Sequence, residues 1–274
     1  MKIKLLLPLL ALLFLSASCA EEEEPLPATE PEPEPTSFCY LLEQTTTAED
    51  SSTSITYTYN EQNQVIRTEH KQADKLVGIR TYEYNTSGRL TRESNLTADS
   101  VETDYTVYSY NTQGLLSKYE VMTLLGVGTV HHKGAFRATY NLDGSLRTAT
   151  SYSYLDNQQR QEENMSFTYR ENNPVSVAYT NKLSNQSYTA TYTSDQMWAP
   201  LSAVPAFHIR NPGMGYPGKR NIVNFTATNS AKEAVKDVSY QAVYEYNQQG
   251  YPTSAVYTYG NGKKVTITYS YSCK

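Results

Sequence analysis

Side chains that could catalyse a reaction or hold a metal are few in this sequence and far apart. The four histidines are His70, His131, His132 and His208. His131 and His132 are adjacent, but neighbouring residues of a strand point to opposite faces, so they do not form a metal-binding pair. The adjacent carboxylates Glu162 and Glu163 have the same limitation, and we expect a solvent-exposed turn there. The sequence therefore predicts no metal and no cofactor.

Sequence motifs of common enzymes are also missing. The chain contains no phosphate-binding glycine loop, no nucleophile elbow and no metalloprotease helix. A pair of carboxylates distant in the sequence, of the kind that glycosidases use, is compatible with the chain. We therefore expect a protein that is not an enzyme, and an unrecognised hydrolase stays as an alternative.

Cys19, one of three cysteines, stands at the end of an export signal. Lys2 and Lys4 precede an apolar run over residues 5–15, and small residues occupy 16–18. This pattern is typical of a signal peptide and is too short to span a membrane. It resembles a bacterial lipoprotein signal, which implies that residues 1–18 are removed and that Cys19 is lipidated. An ordinary signal peptide is the alternative.

Residues 19–37 form an acidic linker rich in proline and glutamate. Four glutamates occupy 21–24, and prolines alternate with other residues up to Pro35. Like charges repel and proline favours extended backbone, so this stretch is a semi-rigid spacer. The acidic run resembles the export signal of Bacteroidota surface lipoproteins. It implies a lipid-anchored outer-membrane protein exposed at the cell surface, with the periplasmic face as the alternative.

One pattern recurs through residues 38–274: Tyr-x-Tyr-Asn, two polar residues, Gly, any residue and an aliphatic residue. The clearest copies begin at Tyr57, Tyr82, Tyr108 and Tyr244, and weaker copies contain Tyr140, Tyr169 and Tyr192. The first six copies follow one another at intervals of 23 to 30 residues. Such a period indicates a repeat architecture, so 38–274 is predicted to be one repeat-built β domain.

Each copy predicts a β-hairpin. In the second copy, the rings of Tyr82 and Tyr84 share one face because side chains alternate along a strand. Asn85 and Gly88 supply the turn, and Leu90 restarts the same face on the return strand. Seven or eight such units give about 14–16 strands of ordinary length. No stretch of helical apolar spacing is present to cover the tyrosine face.

An antiparallel meander with one aromatic face and no covering helix must curl on itself, stack as a sandwich or bind something. We expect an all-β fold, a large antiparallel hairpin meander curled into a barrel-like or closed shell, because closure removes the edge strands. Tyrosine suits a wide and partly wet lumen, since its ring packs while its hydroxyl meets water or a polar neighbour.

Residues 197–223 depart from the repeat. They contain the only tryptophan, Trp198, together with four prolines and three glycines. A long irregular excursion of this kind is either a functional loop or a plug packed in the lumen, and we favour the plug. Trp198 and Tyr216 are the candidate ligand-binding residues.

Cys39 and Cys273 lie at the two ends of the repeat domain. An exported chain enters an oxidising compartment, where two remaining cysteines commonly pair. A Cys39–Cys273 disulfide would place the first and last strands side by side, as closure requires. Two free thiols are the alternative.

The hairpin units resemble YD or Rhs-type repeats. The chain after the linker is similar to Bacteroidota lipoproteins grouped as a domain-of-unknown-function family with a porin-like fold. The resemblance rests on the Tyr-x-Tyr-Asn-x-x-Gly-x-Leu units and on the stretch 211–221. It implies a barrel-like fold and an envelope location, and it brings no established activity.

The formal net charge of -5 belongs to the tether. The spacer holds seven glutamates, the signal holds two lysines, and the repeat domain has 21 basic and 21 acidic residues. Without excess basic charge to neutralise phosphates, we expect no nucleic-acid partner. The sequence predicts a monomeric surface binding or scaffold module for a glycan or peptide. An integral outer-membrane porin-like barrel is the first alternative.

Overall fold

The hairpins of the repeat join edge to edge into a closed antiparallel barrel of sixteen strands in the computed structural model. The structure describes residues 39–49, 51–125, 129–155, 158–170, 173–204 and 218–273. Each strand pairs with the next in sequence, and β16 returns to pair with β1. The all-β, barrel-like fold predicted from the sequence is therefore confirmed, at the upper end of the expected number of strands.

The strands are β1 (Cys39–Ala48), β2 (Ser51–Tyr59), β3 (Val65–Gln72), β4 (Lys75–Tyr84), β5 (Leu90–Leu96), β6 (Glu102–Tyr110), β7 (Leu116–Leu124), β8 (Val130–Tyr140), β9 (Leu146–Leu155), β10 (Gln158–Arg170), β11 (Asn173–Asn181), β12 (Gln186–Trp198), β13 (Arg220–Asn229), β14 (Tyr240–Tyr246), β15 (Pro252–Tyr259) and β16 (Lys264–Cys273). A short 3-10 helix, Pro200–Ala203, follows β12. Within the described ranges, no helix is long and apolar enough to cross a membrane.

The tyrosines of the repeat form the inner wall of the barrel. Antiparallel partners share a face of the sheet, and the pairs Tyr108–Tyr119 and Tyr119–Phe136 follow one another across β6, β7 and β8. The rings of Tyr119 and Phe136 are stacked with their centroids 4.7 Å apart. Buried aliphatic residues that restart the return strands complete this interior, among them Val65, Leu90, Leu116, Leu146 and Ile222.

The outer wall carries hydroxyl and charged side chains, because each strand alternates between its two faces. Arg67 and Glu69 form an ion pair of 3.1 Å on the outer face of β3. Other outward positions include Ser54, Thr56 and Thr58 on β2 and Thr266, Thr268 and Ser270 on β16. The barrel is thus mainly aromatic and aliphatic inside and mainly polar outside.

One end of the barrel carries the turns 60–64, 85–89, 111–115, 141–145 and 247–251, together with the start of β1 and the end of β16. We call this end the asparagine rim. In the turn 85–89, Asn85 Oδ1 accepts hydrogen bonds from the backbone amides of Ser87 and Arg89, both at 3.0 Å. Gly88 closes the turn by donating to Asn85 O at 2.9 Å, with a φ of 74°. The asparagine and glycine of the repeat are therefore a turn device.

Side chains of the neighbouring turn also lie close to these glycines. A Cβ at Gly88 would lie 3.2 Å from Gln64 Nε2, and a Cβ at Gly114 would lie 2.1 Å from Arg89 Nη2. The residue after the positive-φ position of one turn, Gln64 after Asn63 or Arg89 after Gly88, therefore lies over the glycine of the next turn. Positive φ and this close approach together explain why glycine recurs at this position.

The second tyrosine of the repeat bonds a backbone carbonyl that the ladder leaves unpaired. The β3–β4 ladder ends at Arg67 and Thr81, so the carbonyl of Val65 lies beyond it, and Tyr84 Oη donates to that oxygen at 2.8 Å. We call this hydrogen bond the tyrosine latch. The same latch joins Tyr59 to Leu41, Tyr110 to Leu90, and Tyr140 to Leu116. Tyrosine is needed at this position because phenylalanine has no donor.

The barrel closes where β1 pairs with β16, from Cys39 opposite Cys273 to Ala48 opposite Val265. Cys39 and Cys273 are joined as a disulfide, 234 residues apart in sequence. The Tyr251 ring is 1% exposed and packs against Cys39. The covalent link and a buried aromatic ring thus hold the closing strands together at the asparagine rim.

Removing one latch should destabilise the barrel measurably. In Tyr84→Phe the ring stays, but the carbonyl of Val65 loses its donor, and we expect the free energy of unfolding to fall by about 1–2 kcal/mol. Tyr105→Phe is the matched control, because Tyr105 lies on the outer face with Arg92 Cζ 3.9 Å above its ring. Urea unfolding measures both variants. Equal losses in the two would contradict the latch.

Candidate binding pocket

Trp198 lies at the end of β12, where the excursion leaves the barrel. The Arg220 guanidinium carbon is 4.5 Å from the centre of the Trp198 ring, and the Trp198 amide donates to Gly250 O at 3.1 Å. Trp198 also packs with the cluster of Cys39 and Tyr251. The structure therefore places Trp198 at the closing seam, where it anchors the excursion. Tyr216 and Cys19 lie outside the described residues.

The described start of the excursion packs into the barrel. β12 continues to Trp198 and β13 begins at Arg220, so the irregular stretch is shorter than the sequence suggested. The 3-10 helix follows, and Val204 after it is 4% exposed and belongs to the interior cluster. The amide of Ala199 donates to Lys219 O at 3.0 Å, which brings the two ends of the excursion together.

A cavity of about 170 Å³ lies inside the barrel beside this 3-10 helix. We call it the tyrosine pocket. Its lining residues are Tyr240, Tyr244, Tyr257, Tyr269, Gln44, Asn221, Ile222, Ala199, Pro200 and Leu201. None of these carries a charge, so the pocket presents aromatic faces, hydroxyls and two carboxamides.

The pocket exists because tyrosines alternate with alanines in the pairing of β14 and β15. Ala242 lies opposite Tyr257, and Ala255 lies opposite Tyr244. Each large ring therefore has a methyl group as its cross-strand partner, which leaves space in the lumen that a second aromatic ring would fill. The wall formed by β14 and β15 therefore borders a cavity, whereas the wall formed by β6, β7 and β8 carries stacked rings.

The hydroxyls of the pocket form a directed chain. Tyr244 Oη donates to Ile222 O at 3.1 Å, which is a further latch between neighbouring strands. The hydroxyls of Tyr244 and Tyr257 lie 3.0 Å apart, so Tyr257 donates to Tyr244. Tyr257 is also hydrogen-bonded to Tyr269. Each hydroxyl has one proton, and its direction is set by the carbonyl at the end of the chain.

These hydroxyls are neutral. Burial, followed by the neighbouring tyrosines, raises the pKa of Tyr240, Tyr244 and Tyr269 far above the usual value of 10.0. Burial likewise raises the pKa of Tyr257. Loss of a proton would place an anion in an apolar lumen, which is costly. The pocket therefore offers neutral donors and acceptors at physiological pH.

Asn221 adds a buried acceptor to the pocket wall. It is 2% exposed, and its amide nitrogen donates to Trp198 O at 3.1 Å and lies 3.4 Å from Asp195 Oδ1. Both neighbours are acceptors, which fixes the orientation of the amide. Asn221 Oδ1 has no hydrogen-bond partner in the part of the chain that the structure describes. A buried acceptor without a partner is stabilised by a ligand group that donates a hydrogen bond to it.

Two glutamates lie in other parts of the lumen and are already bonded. Glu93 is 2% exposed and accepts from Tyr108 Oη at 2.8 Å. Glu163 accepts from Tyr179 Oη, and burial together with Glu163 raises the pKa of Tyr179 to about 12. The expected solvent-exposed turn at Glu162 and Glu163 was wrong, because both lie within β10 and Glu163 is on the inner face, opposite Ser151.

The histidines do not form a metal site in the described structure. His131 and His132 on β8 lie opposite Thr123 and Met122 on β7, and the two histidines point to different faces of the sheet. The His132 ring is 5.0 Å from the Tyr154 ring. His208 lies outside the described residues. In the described ranges, no group of three or more His, Cys, Asp or Glu side chains could hold a metal ion.

Sequence reasoning missed the pocket residues. The tyrosines at 240, 244, 257 and 269 looked like the rest of the repeat face, and Asn221 looked like part of the excursion. A usable signal was present, because Ala242 and Ala255 interrupt the tyrosine face on two consecutive strands. Reading that signal requires the register of β14 against β15, which a single sequence does not fix.

No protein-family model matches the sequence, and a search of curated proteins finds no match. Among solved structures, the chain is similar to a porin-like protein from Bacteroides uniformis ATCC 8492, with a TM-score of 0.56 and 16% identity over 84% of this chain and 96% of that one. It is also similar to a porin-like protein from Bacteroides vulgatus ATCC 8482, with a TM-score of 0.53 and 12% identity over 85% and 98%. At these identities the likeness shows the fold alone, and the expected porin-like fold is confirmed.

Proposed function

We propose that the protein is a lipid-anchored cell-envelope module that binds a neutral glycan in the tyrosine pocket. The observation that carries the proposal is a cavity lined by four tyrosines with neutral hydroxyls and, among the described residues, by no charged side chain. Tyrosine rings pack against the apolar faces of sugar rings, while the hydroxyls bond sugar hydroxyls. Asn221 Oδ1 provides a further acceptor for a ligand hydroxyl.

A glycan suits the pocket better than a peptide does. The volume of about 170 Å³ corresponds to roughly five water molecules, which fits a terminal sugar better than an extended chain. A peptide would also bring terminal and side-chain charges, for which the described lining has no charged partner. Neutral hydroxyl donors are the groups that complement a buried neutral acceptor.

The outer wall argues for a barrel that faces water. A membrane-spanning barrel needs an outward apolar band and has a polar interior. In this chain Thr56, Thr58, Thr266 and Thr268 face outward and the tyrosines of the repeat motif face inward. The integral porin-like barrel is therefore the less favoured alternative, and no specific observation favours a hydrolase.

The envelope location rests on the signal at residues 1–18, on Cys19 and on the acidic linker. The porin-like neighbours come from Bacteroides, which is consistent with the resemblance to Bacteroidota lipoproteins. The described barrel begins at Cys39 on the asparagine rim. YD or Rhs-type character of the repeat remains a prediction.

Lipid attachment is tested by metabolic labelling. Cells expressing the full chain with radioactive palmitate should label the wild type, and Cys19→Ala should remove the label because its thiol is the attachment point. Protease treatment of intact cells should then degrade the labelled protein. An unlabelled wild type would refute the anchor, and a labelled protein resistant to protease would indicate the periplasmic face.

Glycan binding is tested by screening the full-length protein against neutral oligosaccharides and against peptides. We expect the neutral sugars to quench tyrosine or tryptophan fluorescence. Tyr257→Phe should weaken the affinity about five- to tenfold, because one hydrogen bond in the pocket is lost. Tyr140→Phe is the matched control, since it removes a latch hydroxyl outside the pocket. Absence of sugar binding, or an equal effect of both variants, would overturn the proposal.

Alkaline pH should destabilise the barrel through the same tyrosines. Below pH 10 both the folded and the unfolded chain keep these protons; above it the unfolded chain loses them, while the raised pKa of Tyr240, Tyr244 and Tyr269 keeps the folded pocket protonated. The free energy of unfolding should therefore fall above pH 10, by about 1 kcal/mol per pH unit for each such tyrosine. Denaturant unfolding between about pH 9 and 11 measures the slope. Tyr244→Phe should reduce it, and an unchanged slope would contradict the assignment.

A further inference from the structure

One seam of the barrel is held by far fewer backbone pairs than the rest. Strands β13 and β14 pair only at Asn224–Gln241 and at Phe225–Tyr240. Every other seam between the described strands has at least five such pairs. The β13–β14 seam is therefore the place where the wall separates most easily.

Hydrogen bonds outside the ladder flank this short seam on both sides. Towards the asparagine rim, the carbonyl of Ile222 accepts from the Tyr244 hydroxyl. Towards the opposite rim, the amide of Ala227 donates to Ser239 Oγ at 3.0 Å, and the Ala227 carbonyl accepts from the Val235 amide at 2.8 Å. The two bonds of Ala227 do not involve β14, so they can persist when β13 and β14 part, and parting breaks the two register pairs and the Tyr244 latch.

The tyrosine pocket lies against the inner face of this seam. Ile222 of β13 and Tyr240 and Tyr244 of β14 all line the pocket. The latch between Tyr244 and Ile222 is thus at once part of the pocket wall and part of the seam. Separation of the two strands would break this hydrogen bond and open the pocket to the outside through the wall.

We propose that the β13–β14 seam is a lateral gate through which small neutral molecules enter and leave the tyrosine pocket. The seam alone defines the gate. Only its use as a route for a glycan rests on the proposed function. Opening requires the loss of the pairs Asn224–Gln241 and Phe225–Tyr240 and of the Tyr244 latch. Closing restores a directed chain of hydroxyls, which favours the closed state.

A disulfide across the seam should lock the gate. Asn224 and Gln241 are register partners on the face opposite to Phe225 and Tyr240, so Asn224→Cys with Gln241→Cys places two thiols on the outer wall at a distance that a disulfide spans. Ser176→Cys with Thr191→Cys is the matched control lock, because it joins register partners on the outer face of the fully paired β11–β12 seam.

Access to the pocket is reported by a buried cysteine. Ala199→Cys places a thiol in the pocket lining at a position that is 1% exposed. Ala149→Cys is its control, since Ala149 is 0% exposed in the interior of β9, between two long ladders. Both are made in the full chain with Cys19→Ala, and N-ethylmaleimide labelling is followed by mass spectrometry while the native disulfide remains oxidised.

We expect Ala199→Cys to react at least tenfold faster than Ala149→Cys. The oxidised seam lock should slow Ala199→Cys at least tenfold, and the control lock should leave its rate unchanged. Equal rates for the two reporters, or a rate that the seam lock does not alter, would overturn the gate. Lock-sensitive labelling in a protein that binds no glycan would support the gate and overturn the proposed function.

Hydrogen exchange provides a measurement that needs no reporter cysteine. In the unsubstituted full chain, amides in residues 240–246 should exchange at least tenfold faster than amides in residues 102–110 of β6. The seam lock should remove this difference, because it prevents β13 and β14 from parting. Slow exchange in both strands would also overturn the gate.

Discussion

The structure depends on one constraint: strands that diverge at the asparagine rim leave backbone carbonyls beyond the end of the ladder, and a buried carbonyl needs a donor. The latches from Tyr84 to Val65 and from Tyr110 to Leu90 meet this need from inside the barrel. A tyrosine ring also fills a lumen that sixteen strands would otherwise leave wide enough for water. One residue type therefore satisfies the backbone and fills the interior. This double requirement explains why tyrosine is so abundant where a smaller barrel would use leucine and valine.

The same device explains where a cavity can form. Across β6, β7 and β8, the rings of Tyr108, Tyr119 and Phe136 lie side by side, with centroids 5.7 Å and 4.7 Å apart. Where Ala242 on β14 and Ala255 on β15 interrupt the tyrosine face, the latch from Tyr244 persists but the lumen is less completely filled. The pocket thus forms where aromatic rings no longer fill the lumen but the tyrosine latch is kept. The excursion after β12 lies at the same place, and its first residues form part of the pocket wall.

The sequence predicted much of the fold because its information is local. The spacing within Tyr82, Tyr84, Asn85, Gly88 and Leu90 specifies a strand, a turn and the same face again, and no distant contact is needed to read it. The pocket was not predictable in this way. Most of its lining residues lie on β1, β13, β14, β15 and β16, whose relative register is set by several separate turns. Glu163 was assigned to a turn because its charge suggested solvent, whereas Tyr179 and Ser151 hold it inside. The carboxylate is stabilised by partners that pattern reasoning could not place.

The disulfide between Cys39 and Cys273 has a topological consequence. With its ends joined, the segment from Cys39 to Cys273 is a covalent ring in which every strand has two neighbours. The asparagine turns lie around one rim of this ring and share their local geometry, so the position at which the polypeptide starts is arbitrary with respect to the hydrogen-bonded ladder. β1, the first strand of the barrel, lies beside Trp198. The first and last strands of the barrel therefore meet at its least repetitive part, and the regular asparagine turns elsewhere are interchangeable connections in the same barrel.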